Sequence, residues 1–378
     1  MEVYKGENEL IGEAVRRMLA RIDSTLAQTG EGFPHYSNPE SGIWTRSPAG
    51  DWTGGFWCGL LWLAAWRTGE TKYRRYAIEW ARRLRSRASS KSVFKGFLFW
   101  YGAALGDILF GDAEARELAA EGTRGLMQMY NANAQLIPLG KEAEEASDVG
   151  NDEANIDALP GTVPLLLAHD LSLGSDEIGR RHLRRHIILC VRDDGSVCQS
   201  ASFDAATGVL RRRYTHKGIY ADSTWARAQA WGMLGLAQAL AQGEREFRSN
   251  AISVADWWVA HVPPDHVSYW DFDDPAIPHT NRDTSATAIA AASLLKLAKL
   301  IPERHVRYQA EGETAILRLA TGYLTPVSAD DRRPTGVLTQ GCFNKRNGIA
   351  TAHELIWGDY FLLESLLALE GALAPDTV

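Results

Sequence analysis

The chain reads as an all-α protein, an α/α barrel of about six helical hairpins. Three observations predict this: apolar residues recur at helical spacing in about twelve segments, the segments alternate between two types, and no βαβ alternation or long Pro- or Gly-rich linker divides them. One type is apolar almost all round and rich in Gly and Ala, as in WCGLLWLAAW, WGMLGLAQAL, ATAIAAASLL and YFLLESLLAL. The other is amphipathic and charged, as in KYRRYAIEWARRLRSR and RHVRYQAEGETAILRLA. A helix apolar on every side is surrounded by protein, whereas one with a polar stripe faces water. Alternation therefore predicts an inner ring of helices inside an outer ring, forming one domain over residues 1–378.

In order along the chain, the first helix falls over 8–28, where Leu10, Ile11, Ala14, Val15, Met18, Leu19 and Ile22 share one face. Further helices are predicted at 54–68, 72–87, 96–110, 113–131, 158–172, 175–192, 224–242, 246–261, 284–300, 306–322 and 358–372. Short strands are predicted only inside loops, at GSVCQSASFD and HVSYWDF. In a barrel of this kind the inner helices start at one rim, and their N-terminal loops assemble the pocket.

Composition narrows the function. The 378 residues are 45% hydrophobic and 23% charged with a net charge of −7, which suits a large folded core and not a nucleic-acid partner. The N-terminus MEVYKGENELIGEAV has no basic segment leading into an apolar run, and no window approaches a membrane span. Cys58, Cys190, Cys198 and Cys342 lack metal-type spacing, so reduced thiols in a cytoplasmic protein are expected. No phosphate-binding glycine loop, nucleophile elbow or His/Cys cluster is present, and no cofactor is implied. The unusual count is 13 Trp, which serve either as core filler or as flat walls for a ligand.

Aromatic and acidic residues recur just before the apolar helices. Gly50-Asp51-Trp52-Thr53 leads into Phe56, and Asn155-Ile156-Asp157 precedes 158–172. His216-Lys217-Gly218 and Asp222-Ser223-Thr224-Trp225 precede Arg227, Gln229 and Trp231. Tyr269-Trp270-Asp271 and Asp283 precede 284–300, and Trp357-Gly358-Asp359 opens 358–372. A rim of indoles and carboxylates suits a sugar, whose apolar ring face stacks while its hydroxyls take charged hydrogen bonds. The bland alternative is that Asp157, Asp222, Asp283 and Asp359 are helix N-caps. Arg227 in an otherwise apolar helix needs an anionic partner, either an Asp or a ligand carboxylate. The basic tract Arg211-Arg212-Arg213 is either a solvated face or a steering patch for an anionic substrate.

These stretches resemble the unsaturated glucuronyl hydrolases over most of the chain. The carriers are DWTGGFWCGLLWLAAWRTGE at 51–70, ADSTWARAQAWG at 221–232, YWDFDDP followed by RDTSATAIAA at 269–291, and IWGDYFLLESLLALE at 356–370. IDALPGTVPLL at 156–166 is similar to a stretch of the related unsaturated rhamnogalacturonyl hydrolases. The resemblance implies a six-hairpin α/α barrel that releases the nonreducing-end unsaturated uronic acid from lyase-generated oligosaccharides. It implies hydration of a vinyl ether, with Asp157 as general acid/base. Trp52, Phe56, Trp225, Arg227, Gln229 and Trp231 would bind substrate, and Arg227 or His216 would contact the uronate carboxylate. The implied partner is an anionic unsaturated oligosaccharide, handled by a monomer or homodimer.

Three departures from the family pattern stand out. Val93-Phe94-Lys95 replaces a His-Asp pair before Gly96-Phe97, Gln199 stands where a histidine is expected, and the spacing from Asp157 to Pro164 fits only the sister family. Asp148, Asp152 and Glu153 are candidates for a substitute carboxylate. Two other functions stay open: another barrel enzyme acting on saturated sugars, whether epimerase or glycosidase, and a non-catalytic sugar-binding protein.

Overall fold

The computed structural model describes residues 2–143, 150–169 and 174–378. In chain order its helices are α1 (Glu2–Ala27), α2 (Gly54–Thr68), α3 (Thr71–Arg83), α4 (Lys95–Phe99), α5 (Leu105–Phe110), α6 (Ala113–Met127), α7 (Thr162–Ala168), α8 (Ser175–Cys190), α9 (Ala226–Ala241), α10 (Arg248–His261), α11 (Thr284–Leu300), α12 (His305–Gly322) and α13 (Ile356–Leu369). A π turn, Trp100–Ala104, joins α4 to α5 into one continuous rod. Helices α2, α4–α5, α7, α9, α11 and α13 pack each against the next, and α13 returns onto α2 to close an inner ring. The remaining helices form the outer layer, giving the α/α barrel.

Burial follows the two sequence types. Every residue of α9 from Ala226 to Leu240 is buried, and so is every residue of α11 from Thr284 to Ala298. The amphipathic α3 buries only Tyr73, Ala77 and Ala81, one stripe at four-residue spacing. Glycine sets how closely the inner helices approach. A Cβ on Gly55 of α2 would strike the carbonyl of Phe97, and one on Gly96 of α4 would strike Thr162 of α7.

Two small antiparallel sheets decorate the barrel. One has the order β2 (Trp44–Ser47), β1 (Phe33–Ser37), β6 (Glu354–Leu355), and the other β3 (Glu153–Asn155), β4 (Ser200–Phe203), β5 (Leu210–Tyr214). In the second, Asn155 and Tyr214 both register with Ser200, which brings the chain around residue 157, residue 199 and residues 215–217 together.

The predicted bounds of the helices at 54–68 and 284–300 match α2 and α11. The segment predicted as one helix over 158–172 differs. A short 3-10 turn covers Ile156–Ala158, Gly161 takes φ +76°, and α7 begins only at Thr162. Residues 170–172 of that prediction lie outside the described residues. HVSYWDF forms isolated bridges, Tyr269 to Arg282 and Asp271 to Trp225, and no strand. Arg211-Arg212-Arg213 lies on β5, where all three are exposed; Arg211 pairs with Asp152 and Asp204.

Of the four aspartates predicted as helix caps, Asp283 alone caps a helix, accepting from the N–H groups of Ser285 and Ala286 at the start of α11. Asp222 is exposed in a turn, Asp157 has Asn155 as its own cap, and Asp359 lies inside the first turn of α13. Asp359 is buried beside Glu354, which is held by Arg21 at 2.5 Å and by the hydroxyl of Ser37. Burial, and then the charge of Glu354, push the Asp359 carboxyl well above the usual carboxylate range. The folded chain therefore keeps a proton that the unfolded chain releases at lower pH. That contribution to stability is complete below the ordinary carboxylate pKa and is lost as pH rises toward the folded value, by about 1.4 kcal/mol per pH unit. Asp359→Asn cannot ionise, so urea-unfolding free energies of the variant should decline less with pH across that window than those of the wild type.

Candidate active site

The loops before the inner helices converge on a narrow cavity of about 10 Å³. Its walls are aromatic: Trp52 precedes α2, Phe94 and Phe97 stand at the start of α4, and Trp225 and Trp231 belong to the start of α9. Its polar lining is Asp157, Lys217 and Arg227. Indole and phenyl faces exclude water, so the charges among them act in a low dielectric.

Asp157 sits in the 3-10 turn before α7 and is 5% exposed. Its N–H donates to Asn155 Oδ1 at 2.9 Å, which fixes the turn. Its Oδ2 accepts from Gln199 Nε2 at 2.9 Å. The orientation of the Gln199 amide follows from its other end. Oε1 accepts from the Thr215 hydroxyl at 2.9 Å and from the N–H groups of His216 at 2.9 Å and Lys217 at 3.2 Å. Three donors converge on that oxygen, so the NH₂ must face the acid.

The sequence-predicted binding residues divide into two sets. Trp52, Trp225, Arg227 and Trp231 line the cavity with Asp157. Phe56 does not: it stacks on Tyr101 at 4.7 Å and lies beneath Trp231 at 6.3 Å, one layer deeper. Gln229 is a scaffold residue, fully buried, with Oε1 accepting from Val197 N–H and Nε2 donating to the carbonyls of Gly195 and Val254. It stands two residues from both Arg227 and Trp231 on α9, so it projects to the far side of the helix. His216 turns from the cavity to Glu153, with its Nε2 2.5 Å from a buried carboxylate oxygen.

Arg227 lines the cavity, and part of its guanidinium is committed to protein. Nη1 reaches Asp283 at 2.5 Å and the Cys342 carbonyl at 2.8 Å, and Nη2 reaches the Phe343 carbonyl at 2.6 Å. Its guanidinium also stacks on Trp225 at 4.5 Å and Trp357 at 5.3 Å. Trp357 backs the wall, 4.7 Å from Trp52, with its N–H on Ser285. Trp270 is bound to Asp274 and lies outside the lining.

Three lining residues were not among the predicted binding residues: Phe94, Phe97 and Lys217. Phe94 was legible only as a departure from the family pattern, and Lys217 only as a neighbour of His216. Lys95 points away from the cavity to the carbonyls of Ala88 and Gly125, and burial lowers its pKa to about 8. Of the candidate substitute acids, Asp152 is bound to Arg211 and Glu153 to His216, and Asp148 lies outside the described residues. Among the described residues Asp157 is the one carboxylate in the cavity lining. Among them also, no group of three or more His, Cys, Asp or Glu is placed to hold a metal ion, and no helix is long and apolar enough to cross a membrane.

An α/α barrel that closes on an acid among indoles is the architecture of a carbohydrate-active enzyme. Comparison with known proteins makes the class specific. An unsaturated glucuronyl hydrolase of Bacillus sp. (strain GL1) is 33% identical over 95% of this chain and 96% of its own length. An unsaturated chondroitin disaccharide hydrolase of Streptococcus pneumoniae is 27% identical over 97% of this chain and 93% of its own. A solved unsaturated glucuronyl hydrolase with dGlcA-Glc-Rha-Glc superposes with a TM-score of 0.86 at 32% identity, covering 94% of this chain and 96% of that one. No family model matches the chain. The chain belongs to the unsaturated glucuronyl hydrolase family, and it is a glycoside hydrolase.

Proposed function

We propose that Asp157 is the general acid and base with which this hydrolase removes an unsaturated uronic acid from the nonreducing end of lyase-generated oligosaccharides. The observation that carries the reading is the lining itself, in which Asp157 is, among the described residues, the one carboxylate facing an aromatic cavity that also holds cations. Direct displacement at an anomeric carbon needs two carboxylates flanking the bond. Hydration of the C4=C5 vinyl ether needs only one group that gives a proton and takes one back.

In that sequence Asp157 transfers its proton to C4, and positive charge develops at C5 and the ring oxygen. Water adds to C5 and returns a proton to the Asp157 carboxylate. The C5 hemiketal then opens to a ketone, and the hemiacetal left at C1 expels the neighbouring sugar. One water is consumed and the acid is regenerated. The names of the relatives, with unsaturated glucuronyl and chondroitin disaccharide substrates, support an anionic unsaturated oligosaccharide as the partner. The four cysteines are free and buried, which suits a reducing cytoplasm.

The test is a panel of polysaccharide-lyase digests followed by the ultraviolet absorbance of the conjugated C4=C5 uronate. Loss of that absorbance with release of the shortened sugar is expected for at least one digest. Binding of an unsaturated uronide with no product on long incubation would make the chain a sugar-binding protein instead.

Gln199 supports the acid without touching the reacting bond. A hydrogen bond to a charged group is worth about 1.5–3 kcal/mol, so Gln199→Leu should lower kcat/KM by about tenfold or more. Steady-state kinetics at matched folding, checked by circular dichroism, measures it. An unchanged kcat/KM would remove Gln199 from the machinery.

A further inference from the structure

We propose that the cleft between the end of α1, β2 and α3 is a second saccharide site, which holds an acidic sugar outside the catalytic cavity. Its volume is about 530 Å³, and it shares no lining residue with the cavity around Asp157. That size lies within the roughly 300–1,000 Å³ typical of small-molecule sites. Tyr76, Glu79, Trp80 and Arg83 of α3 line it at i, i+3, i+4 and i+7, the spacing that puts side chains on one helix face. Glu31, from the loop before β1, and Arg46, from β2, line it as well.

Both arginines hold charge that the protein leaves uncompensated. Arg46 is partly buried, and its Nη1 donates to the Gly32 carbonyl at 3.1 Å. Its Nη2 has no hydrogen-bond partner among the described residues, and among them no carboxylate pairs with it. Burial, and then the charge of Arg21, lower its pKa, as expected of a guanidinium without a counter-ion. The loop that holds it is built for close approach. Gly30 takes φ +144°, and a Cβ there would fall 2.9 Å from Arg46 Nε. Arg83 is exposed and stacks its guanidinium on Trp80 at 4.1 Å, with no hydrogen bond or ion pair among the described residues. Arg46 therefore supplies a fixed positive charge in the wall, and Arg83 supplies donors that reach a ligand directly.

The rest of the lining selects the kind of anion. Glu31 and Glu79 add two carboxylates, of which Glu79 is partnered by Arg75 at 3.7 Å. An acidic sugar answers every part. Its carboxylate or sulfate meets the guanidiniums, its hydroxyls donate to the glutamates, and its apolar face suits a wall containing Tyr76 and Trp80. An inorganic anion gains nothing from the rings and is repelled by the glutamates, whereas a neutral sugar leaves both guanidiniums uncompensated. Pro48 of the cleft is four residues from Trp52 of the catalytic cavity, a separation of at most about 14 Å along the chain. A saccharide retained in the cleft thus stays close to the catalytic cavity.

The experiment titrates a saturated glucuronyl disaccharide, which has no C4=C5 bond to hydrate, into wild type, Arg83→Met and Arg46→Met by calorimetry. Turnover of a lyase-generated disaccharide is measured on the same three proteins. Each variant should bind the saturated disaccharide about tenfold more weakly, the worth of one charged hydrogen bond, while kcat/KM stays within about twofold of wild type. Arg83 is exposed, so its replacement tests the site without disturbing the core. The methyl ester of the disaccharide and inorganic sulfate should each bind the wild type at least about tenfold more weakly than the acid. Unchanged affinity in Arg83→Met overturns the inference, as does a parallel fall in kcat/KM, which places the titrated sugar in the catalytic cavity. Sulfate or ester binding as tightly as the acid also overturns it. Intact binding with no turnover of any lyase product sinks the hydrolase reading alone and leaves the second site standing.

Discussion

Asp157→Asn is expected to lower kcat by about 10³-fold, within the range that general acid–base catalysis contributes, with the barrel still folded. The amide has the shape of the carboxyl but cannot deliver a proton to carbon. The fold has little reason to change. The Asn155 bond is to the backbone N–H of residue 157, and Gln199 Nε2 can donate to the new amide oxygen as it did to Oδ2. Loss of uronate absorbance measures activity, and a thermal melt measures the fold. Retention of more than about a tenth of the wild-type kcat would mean that the proton comes from another group.

Arg227→Met should produce the largest loss of stability of any single change at the site. Arg227 is fully buried, and the charge it neutralises is not a bystander. Asp283 Oδ1 accepts from the N–H groups of Ser285, Ala286 and Cys342, which ties the start of α11 to the loop carrying Phe343. Removing the guanidinium leaves that carboxylate buried without its cation and strips the Cys342 and Phe343 carbonyls of a donor. Breaking a buried pair from one side costs about 3–5 kcal/mol, to be read as a shift of the urea midpoint with unchanged slope. A variant of wild-type stability whose KM alone had risen would instead make Arg227 a substrate grip.

The barrel was legible because its two helix classes carry opposite burial patterns. An α13 buried on all sides and a striped α3 cannot exchange places without exposing one or stranding charges on the other. The strands were less legible for local reasons. β5 has the sequence LRRRY, in which the arginines are exposed, so it has no alternation for a period of two to reveal. Asp157 was singled out by motif and lies in the cavity lining, but the capping explanation failed on a backbone detail, the 3-10 turn and Gly161, that spacing alone does not encode.

Three of the predicted binding residues, Phe56, Gln229 and His216, lie outside the cavity lining. Gln229 was grouped with Arg227 and Trp231 by nearness in sequence, although the helix turns it to the opposite side. His216 was named through the family resemblance; it and Lys217, one residue apart, leave the turn toward Glu153 and toward the cavity respectively. Which neighbour faces inward is decided by β3–β4–β5 pairing and by the Gln199 clamp, contacts between segments distant in the chain.

The inner ring closes by packing α13 onto α2, joining helices near the two ends of the chain. The cavity has no local precursor: Trp52, Phe94, Asp157, Lys217 and Trp231 come from successive hairpins, and Trp52 packs on Trp357 of α13 only when that seam is shut. Closing so long a loop is entropically slow. Recovery of turnover during refolding is therefore a clock for seam closure, whereas helix content reports the earlier, local steps.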